Sequence, residues 1–391
     1  MTTHDVIVAG AGPAGSAAAA SLARRGHDIL LLDRQTFPRD KTCGDGIPPG
    51  TISILDGLGM ANVVREANFY EIHGIRLGSP WGRTWETTFK ARRPGDEFYI
   101  APRDRFDVLI RDHAVACGAA FTQASVKAPI IEDGRVCGVR VVIDGREKAL
   151  RARVVIAADG ATSVIARALH GDRQPLRMRG VALRGYMTGI ETLPNKVEFY
   201  FDRELLPGYA WIFPLAGDRA NVGVIMPADR FKKRGRPLRD YLDRFLRRRG
   251  IRERVDSAAG LVDVKTWQLP YAAPGAPARA FGGAMLAGDA GGFVDALTGE
   301  GIHHALVSST IAADVAHEAL VQGDTSLATL AAFDVRCDAE LGRLIRRSWR
   351  LQRFVARFPL VLEGLFLAAG VGSGFVQSFI NRVSSDFVAE G

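Results

Sequence analysis

The start of the chain alternates between apolar runs and one glycine-rich turn. His4–Ala9 is apolar, the turn Gly10–Gly15 follows, Ala14–Arg25 is rich in alanine, and Asp28–Asp33 is apolar again. Short apolar runs bounded by glycine are typical of buried strands, whereas a longer alanine-rich stretch favours a helix. The pattern predicts strand, tight turn, helix and strand, which together form a βαβ unit.

Further along, the period of the pattern changes several times. Phe69–Ile100 is aromatic and alternating, which predicts short strands, and Arg103–Cys117 has helical periodicity. Val126–Val142 predicts a β-meander, and Val154–Ala158 predicts a short buried strand that ends in a second glycine turn. Val181–Met226 has apolar runs separated by Gly, Pro and Asn without a helical period, which is typical of an antiparallel sheet.

The last part of the chain returns to strand and helix and then becomes helical. Gly283–Ala287 predicts a parallel core strand, Ile302–Val321 a helix, and Ser326–Phe387 amphipathic helices. We therefore expect an α/β fold in which a discontinuous Rossmann-like domain is visited three times and an antiparallel sheet domain is inserted. The predicted boundaries are 1–75, 102–175 and 275–325 for the first domain, 76–101 and 176–274 for the sheet domain, and 326–391 for a C-terminal helical region.

Composition is that of a globular protein with a large core. The chain has 391 residues, of which 47% are hydrophobic and 24% charged. The best candidate for a membrane span, Phe358–Phe375, contains Glu363 and several glycines, and Met1–His4 lacks the basic start of a secretory signal. The four cysteines are far apart and have no CxxC or Cys/His spacing, so we expect neither a metal site nor disulfides. These features predict a cytoplasmic protein.

The net charge of +8 is concentrated in arginine-rich clusters. Such clusters contact phosphates, acidic lipid or solvent, and without interleaved stacking aromatics they do not favour nucleic acid. In the last cluster, the arginines recur among apolar residues, so this segment is either a peripheral contact with an anionic membrane or a covering helix with a wet basic face. The residues concerned are Arg346, Arg347, Arg350, Arg353 and Arg357, among Leu344, Ile345, Leu351, Phe354 and Val355.

The first glycine turn has the spacing G-x-G-x-x-G between a predicted strand and a predicted helix. Gly10, Gly12 and Gly15 allow a tight turn, a close approach to a diphosphate and close packing of helix on strand. The helix N-terminus adds free N–H groups and a partial positive charge. Asp33 ends the next strand, where a carboxylate accepts hydrogen bonds from ribose hydroxyls. The turn, helix and acid together predict binding of a dinucleotide.

Two further glycine segments follow predicted strands. Ala157–Ser163 contains Asp159 and is equally compatible with an ordinary turn capped by Ser163 or Thr162. In the third segment, Leu286–Gly292 carries Asp289, which can accept from a sugar-alcohol hydroxyl. The glycines of Thr298–Ile302 and the helix that starts there can present N–H groups to a developing negative charge.

The order of these three segments resembles the flavoprotein monooxygenase superfamily with the p-hydroxybenzoate hydroxylase fold, over nearly the whole chain up to about Val321. Within it, Pro38–Gly46, Tyr209–Pro214 with Asn221–Gly223, and Leu297–Ile302 resemble the geranylgeranyl reductase family. The resemblance implies that FAD is the cofactor, that Asp33, Arg103, Asp289 and the Gly301 region contact it, and that Tyr209–Pro214 lines the substrate cavity.

These arguments give a set of candidate site residues. We predict substrate contacts at Tyr209, Trp211 and Phe213, with core packing as the alternative. Cys43 is either a thiol with a lowered pKa near the flavin or a small packing residue. Arg103 has a surface ion pair with Asp107 as its alternative. The predicted FAD contacts are Gly10, Gly12, Pro13, Ala14, Gly15, Asp33, Arg34, Cys43, Gly44, Arg103, Val126, Asp159, Gly288, Asp289, Gly299, Gly301 and Ile302.

The implied activity is saturation of isoprenoid double bonds by hydride from reduced FAD. The alternative is an oxygen-using hydroxylase or halogenase on the same fold, although Gly208–Pro214 matches the halogenase pattern G-W-x-W-x-I-P only in part. A non-catalytic flavin-bound interaction protein is a third class. No second G-x-G-x-x-G marks an NADPH domain, so we expect NAD(P)H to bind transiently or another carrier to donate electrons. No catalytic residue is assigned: Glu300 is interpreted as a helix cap or a loop-orienting group, and His303 and His304 as structural or proton-delivering.

Overall fold

The protein is described by a computed structural model that covers residues 3–89, 94–171 and 175–371. Its strands alternate with helices at both ends of the chain and cluster in the middle. The strands are β1 (Thr3–Ala9), β2 (Ile29–Asp33), β3 (Gly46–Ile47), β4 (Tyr70–Glu71), β5 (Gly74–Gly78), β6 (Thr84–Thr88), β7 (Tyr99–Ile100), β8 (Ala120–Gln123), β9 (Ser125–Glu132), β10 (Arg135–Ile143), β11 (Arg146–Ala157), β12 (Arg179–Ile190), β13 (Lys196–Tyr200), β14 (Tyr209–Pro214), β15 (Arg219–Pro227), β16 (Val255–Pro270), β17 (Ala280–Phe281) and β18 (Ala284–Leu286).

The helices include the two long ones that the sequence predicts after glycine turns. They are α1 (Pro13–Ala23), α2 (Thr51–Gly57), α3 (Ala61–Glu66), α4 (Arg103–Ala116), α5 (Val164–His170), α6 (Ala228–Arg234), α7 (Leu238–Leu246), α8 (Arg249–Arg252), α9 (Ile302–Gln322), α10 (Leu327–Leu330), α11 (Ala332–Arg357) and α12 (Pro359–Val371).

A mostly parallel sheet forms the centre of the first layer, with strand order β17-β18-β11-β1-β2-β8 and the hairpin β9–β10 attached to β11. Strand β1 pairs in parallel with both β11 and β2, so both of its edges are hydrogen-bonded, and both of its faces are buried. Val6 and Val8 point to the side of α1 and α9, whereas Ile7 and Ala9 point to the hairpin side. A strand that is buried on both faces has a continuous run of apolar residues in its sequence, and β1 has such a run.

The second layer is a sheet with strand order β16-β12-β15-β14-β13-β5-β6. It is antiparallel except that β13 pairs with β5 in parallel. One face packs on α7, with Leu242 and Phe245 in that core, and the other face carries aromatic residues that include Tyr209 and Trp211. A small sheet, β3-β7-β4, bridges the two layers.

The predicted fold class is confirmed, while several elements are longer than predicted or were not predicted. The strand predicted at Val154–Ala158 extends back to Arg146 because its first half pairs with β10. The short helices α2 and α3 lie in a region without a clear periodic signal. Helices α10 to α12 agree with the predicted C-terminal helical region as far as Val371, and the rest of that region lies outside the described residues. Among the described helices, none has the length and apolar composition required to cross a bilayer.

Candidate functional site

A cavity of about 1040 Å³ lies between the carboxyl ends of the parallel strands and the aromatic face of the second sheet. Every residue that we predict as a cofactor or substrate contact lines it except Gly15 and Gly288. The structure therefore brings together three segments that are far apart in the sequence. The role of each residue as an FAD or substrate contact stays a prediction.

The first glycine turn closes tightly against the second. Gly10 has a φ of +101°, and a Cβ there would lie 2.3 Å from the carbonyl oxygen of Ala158. Gly12 precedes α1 and no side chain caps that helix, so its first N–H groups remain available to an anion. Gly15 points away from the cavity because a Cβ there would lie 1.7 Å from the Gly10 carbonyl oxygen. Gly15 thus allows close packing of the helix on the first glycine turn, and its contact with the cofactor stays a prediction.

Asp33 ends β2 at the edge of the cavity. Its Oδ2 accepts from the Ala11 N–H (2.9 Å) and its Oδ1 accepts from the Gln35 N–H (2.9 Å). These bonds fix the carboxylate beside the first glycine turn while it still lines the cavity. Arg34 and Val126 line the same end.

Arg103 makes the ion pair with Asp107 that was its alternative interpretation, but the pair is buried. Arg103 donates to Asp107 through two nitrogens, at 2.6 and 2.8 Å, and Arg39 approaches the same carboxylate at 2.9 Å. Asp107 is fully buried, yet Arg103 and Arg39 both line the cavity. Burial alone would lower the pKa of Arg103, because it disfavours the charged guanidinium. The attraction and hydrogen bonds of the nearby Asp107 have the larger effect, so the pKa of Arg103 is raised. The Asp107 carboxylate therefore holds two cations, Arg103 and Arg39, at the cofactor end of the cavity.

Cys43 does not have the lowered pKa of a reactive thiol. Burial raises the pKa of its thiol, and the opposing effect of Arg103 is smaller. The structure favours the packing interpretation. Gly44 is close to the sheet, since a Cβ there would lie 2.9 Å from the Phe213 ring.

The loop that carries Cys43 is tied to the second sheet through Asp45. Tyr186 OH and Asn221 Nδ2 donate to Asp45 Oδ2 at 2.7 and 2.8 Å, and Trp211 Nε1 donates to Asn221 Oδ1 at 2.9 Å. Asp45 is fully buried and its Oδ1 has no partner among the described residues. Burial raises the pKa of Asp45 to about 6, against the hydrogen bond from Tyr186. No local sequence signal marks this anchor.

The second segment is a capped turn that also lines the cavity. Ser163 Oγ accepts from the Ala166 N–H at 2.9 Å, as its alternative interpretation predicts. Asp159 Oδ2 accepts from the Val164 N–H at 3.0 Å, and its buried Oδ1 has no partner among the residues described. Oδ2 of Asp159 thus stabilises the turn, whereas its Oδ1 remains available to accept a hydrogen bond.

The third segment brings Asp289 to the start of α9. Asp289 lines the cavity, and its Oδ1 lies 3.6 Å from where a Cβ on Gly301 would be. Gly288 is turned inward, where its N–H donates to Ser308 Oγ at 3.0 Å. No side chain caps the N-terminus of α9, which begins at Ile302 beside the cavity. Its partial positive charge is therefore available to a negative group.

Lys41 is a further charged residue of the cavity that the sequence did not single out. Its Nζ lies 3.9 Å from the ring centroid of Trp267. Burial lowers the pKa of Lys41 to about 8, and the nearby Asp289 opposes that shift. The only sequence signal for Lys41 was its position in the Pro38–Gly46 segment.

Aromatic side chains form the apolar part of the cavity. Phe199 makes edge contacts with Tyr209 (5.2 Å) and Phe213 (5.1 Å) between ring centroids. Tyr209 OH donates to the Thr298 carbonyl oxygen, which joins this wall to the start of α9. Helices α11 and α12 also contribute to this part of the cavity, because the tertiary fold packs them here. The other apolar residues of this part include Ile75, Leu77, Trp85, Phe89, Phe98, Ala182, Val197, Phe201, Ile225, Leu269, Leu351, Phe354, Val355, Val361, Leu362 and Phe366.

The chemistry of the polar end fits FAD. Two uncapped helix N-termini, at Gly12 and Gly301, face one cavity and suit a diphosphate and an electron-rich ring. The carboxylates of Asp33 and Asp289 suit sugar hydroxyls, and the orphaned Oδ1 of Asp159 is a further acceptor.

Comparison with known proteins agrees with this fit. The family model described as FAD binding domain matches residues 3–313. The chain is 34% identical to digeranylgeranylglycerophospholipid reductase 2 of Methanopyrus kandleri, over 88% of this chain and 84% of that protein. It is also 34% identical to menaquinone reductase of Mycolicibacterium smegmatis, over 80% and 76%.

A solved structure is similar over nearly its whole length. The geranylgeranyl bacteriochlorophyll reductase-like protein of Thermoplasma acidophilum superposes with a TM-score of 0.83 at 28% identity, covering 94% of this chain and 91% of that one. The resemblance to the geranylgeranyl reductase family is confirmed by these relatives. The chain therefore belongs to the FAD binding domain family, and within it to the geranylgeranyl reductase-like FAD-dependent oxidoreductases.

Proposed function

We propose that this protein reduces carbon–carbon double bonds of an isoprenoid or similarly apolar substrate. The observation that carries the proposal is the single cavity whose polar end fits FAD and whose other end is lined by aromatic and aliphatic side chains. The names of the Methanopyrus and Mycolicibacterium relatives, which are reductases of a geranylgeranyl lipid and of menaquinone, support this substrate class.

Different residues of the chain would bind different parts of FAD. Bound FAD, once reduced, supplies a hydride. The turn at Gly10 to Ala14 and the N-terminus of α1 would hold the diphosphate, Asp33 the ribose, and Asp289 the ribityl chain. The start of α9 would stabilise negative charge on the ring.

The apolar end would hold the substrate by excluding water. Burial of each methylene contributes about 0.8 kcal/mol, so even a few isoprene units bind well here. Phe199 contacts both Tyr209 and Phe213, and the three rings form one aromatic wall. Such a wall would position an alkene through apolar packing alone, because an alkene has no group that forms a strong hydrogen bond. We infer that the electron donor, NAD(P)H or another carrier, binds transiently.

The domain division stays a proposal as well. We infer an FAD-binding domain of 1–75, 102–175 and 275–325, a substrate domain of 76–101 and 176–274, and a helical region of 326–391. The separation of strands into one parallel-type sheet and one antiparallel-type sheet supports it.

An oxygen-using hydroxylase or halogenase is the competing function, and turnover with and without oxygen separates the two. The FAD-loaded protein is supplied with NAD(P)H or a chemical donor and a panel of prenyl lipids, under nitrogen and under air. We expect turnover to persist or improve under nitrogen, because oxygen only competes for electrons. Turnover that needs air and yields oxygenated or halogenated products would favour the alternative.

We further propose that the C-terminal helices contact a membrane surface from a cytoplasmic position. Arg346, Arg350 and Arg353 on α11 are exposed. The apolar side of α11 faces inward, however: Ile345 is in the core and Leu351 lines the cavity. The exposed apolar residues lie instead at the end of α11 and on α12, and they are Phe354, Phe358, Leu360, Val361 and Leu367.

Flotation with liposomes tests this contact. We expect more protein to float with anionic than with neutral liposomes, because arginines are attracted to anionic headgroups. Arg346→Gln with Arg350→Gln should reduce flotation, whereas Arg249→Gln, at an exposed site on α8, should not. Equal flotation with both lipids would leave α11 as a covering helix with a wet basic face.

A further inference from the structure

The loop from Asp295 to Gly301 lies where the two ends of the cavity meet. On one side Gly301 is close to Asp289, and on the other Gly299 is close to the aromatic wall, since a Cβ there would lie 3.2 Å from Tyr209 OH. Asp295 Oδ1 holds the loop by accepting from Leu297 N–H (2.9 Å) and from Thr298 N–H (2.7 Å). An alkene and the reactive part of FAD have to meet at this junction.

Of the two acids in this loop, Asp295 and Glu300, Glu300 is the one that lines the cavity. Its Oε1 accepts from the His303 N–H at 2.5 Å, so the first turn of α9 fixes the carboxyl group. Within the described chain, its Oε2 has neither a hydrogen-bonding partner nor an ion pair with lysine or arginine. One oxygen is thus positioned by the backbone, and the other is free to face a ligand.

Other candidate proton donors of the cavity are engaged elsewhere, and Asp289 is the residue that we propose for the ribityl chain of FAD. Tyr209 OH donates to the Thr298 carbonyl oxygen, Asp40 pairs with Arg184 and Lys265, and Lys41 lies over Trp267.

Three more groups of the cavity are similarly engaged. Asp33 accepts from two backbone N–H groups, and Asp159 caps α5 through Oδ2. The thiol of Cys43 faces Arg103. Glu300 is the carboxyl with an unused oxygen beside the aromatic wall.

We propose that Glu300 is the acid that gives the second hydrogen to the alkene. This inference rests on the proposed reductase function. Reduced FAD transfers a hydride, with both electrons, to one alkene carbon, and Oε2 of Glu300 transfers a proton to the other carbon. The π bond is replaced by two C–H bonds, FAD is left oxidised, and Glu300 is left as a carboxylate. Water then reprotonates Glu300, and NAD(P)H or another carrier reduces FAD again.

The charges around Glu300 suit an acid that works near neutral pH. Burial is the main cause that raises the pKa of Glu300 to about 7, and the nearby Asp295 and Asp289 contribute to this rise, against the backbone N–H groups of His303 and Gly301. Burial and His304 lower the pKa of the His303 ring to about 4, so that ring is neutral and adds no cation. A general acid is most effective when its pKa is close to the working pH.

Single-turnover kinetics with Glu300→Gln test the proposal. FAD-loaded protein is reduced under nitrogen and mixed with a geranylgeranyl lipid, and flavin reoxidation is followed from about pH 6 to pH 8. The wild-type rate constant should fall as pH rises through about 7, because only the protonated carboxyl donates. Glu300→Gln should be roughly 100-fold slower or more and independent of pH. Glu300→Asp should recover part of the rate.

The matched control is Glu318→Gln, on the same helix α9 but at a half-buried site outside the cavity, where Glu318 pairs with Arg336. It should keep the wild-type rate and pH profile. Infrared difference spectra of the FAD-loaded proteins give a readout independent of activity: a protonated carboxyl band should titrate near pH 7 in wild type and Glu318→Gln and be absent in Glu300→Gln.

The two proposals fail in different ways. A wild-type rate and pH profile in Glu300→Gln, with alkene still reduced, would overturn the role of Glu300 and leave the reductase function intact. Wild-type protein that reduces no alkene would overturn both. If Glu300→Gln does not fold, a wild-type rate constant that is flat between about pH 6 and pH 8, or the lack of the carboxyl band, still overturns the role of Glu300.

Discussion

Removal of Asp289 should weaken FAD binding more than removal of Asp159. Asp289 lines the cavity beside the start of α9, and no hydrogen bond within the described residues uses its carboxylate. Asp159 already uses Oδ2 for the Val164 N–H of its own turn. We therefore expect a direct bond from a ribityl hydroxyl to Asp289 and mainly a structural role for Asp159.

The size of the difference follows from these contacts. A hydrogen bond to a charged group contributes about 1.5–3 kcal/mol, so Asp289→Ala should raise the dissociation constant of FAD by roughly 10- to 100-fold. Asp159→Ala removes one cap while Ser163 still caps α5, so it should cost about 0.5–1 kcal/mol of stability and little FAD affinity. Calorimetric titration of each apoprotein with FAD measures both constants. Equal losses, or a larger loss for Asp159→Ala, would refute the reasoning.

Three further outcomes follow from the geometry. Gly10→Ala should destabilise the protein by about 1–3 kcal/mol in urea unfolding and reduce FAD retention. The positive φ of Gly10 is strained for alanine, and its Cβ would clash with the Ala158 carbonyl oxygen. Unchanged stability would contradict this reasoning. The pKa of Asp45 is raised to about 6 in the folded protein, so its charged carboxylate weakens the fold above that pH. In urea unfolding, Asp45→Asn should therefore be more stable than wild type by up to about 3 kcal/mol at pH 8. This gain should disappear below about pH 4. A gain that is the same at both pH values would contradict the titration. Ala182→Trp should fill the apolar end and abolish turnover of long prenyl lipids while FAD still binds in calorimetry; normal turnover would place the substrate elsewhere.

Local sequence was sufficient for the cofactor end of the cavity. Each of the three segments combines a buried strand, glycines and a helix start, so both the backbone geometry and the chemistry can be read within about ten residues. That is why Asp33, Asp289 and Gly301 are found together in the structure.

The substrate end could not be predicted in the same way. Phe199 and Leu351 become neighbours of one cavity only through sheet pairing and the packing of α11, and neither has a local signal. The burial of the Arg103–Asp107 pair likewise depends on the surrounding fold. Glu300 could be located in the sequence, but its free oxygen and raised pKa depend on neighbours that only the folded chain supplies.

The central claim is that hydride passes from reduced FAD directly to an alkene, and the product of a single turnover tests it most directly. The bound FAD is reduced with dithionite under nitrogen, excess reductant is removed, geranylgeranyl lipids are added, and the products are weighed by mass spectrometry. We predict that the flavin reoxidises without air and that product heavier by one pair of hydrogens forms in proportion to the FAD present. Unchanged lipid across the panel, with flavin that reoxidises only when air is admitted, would contradict the claim.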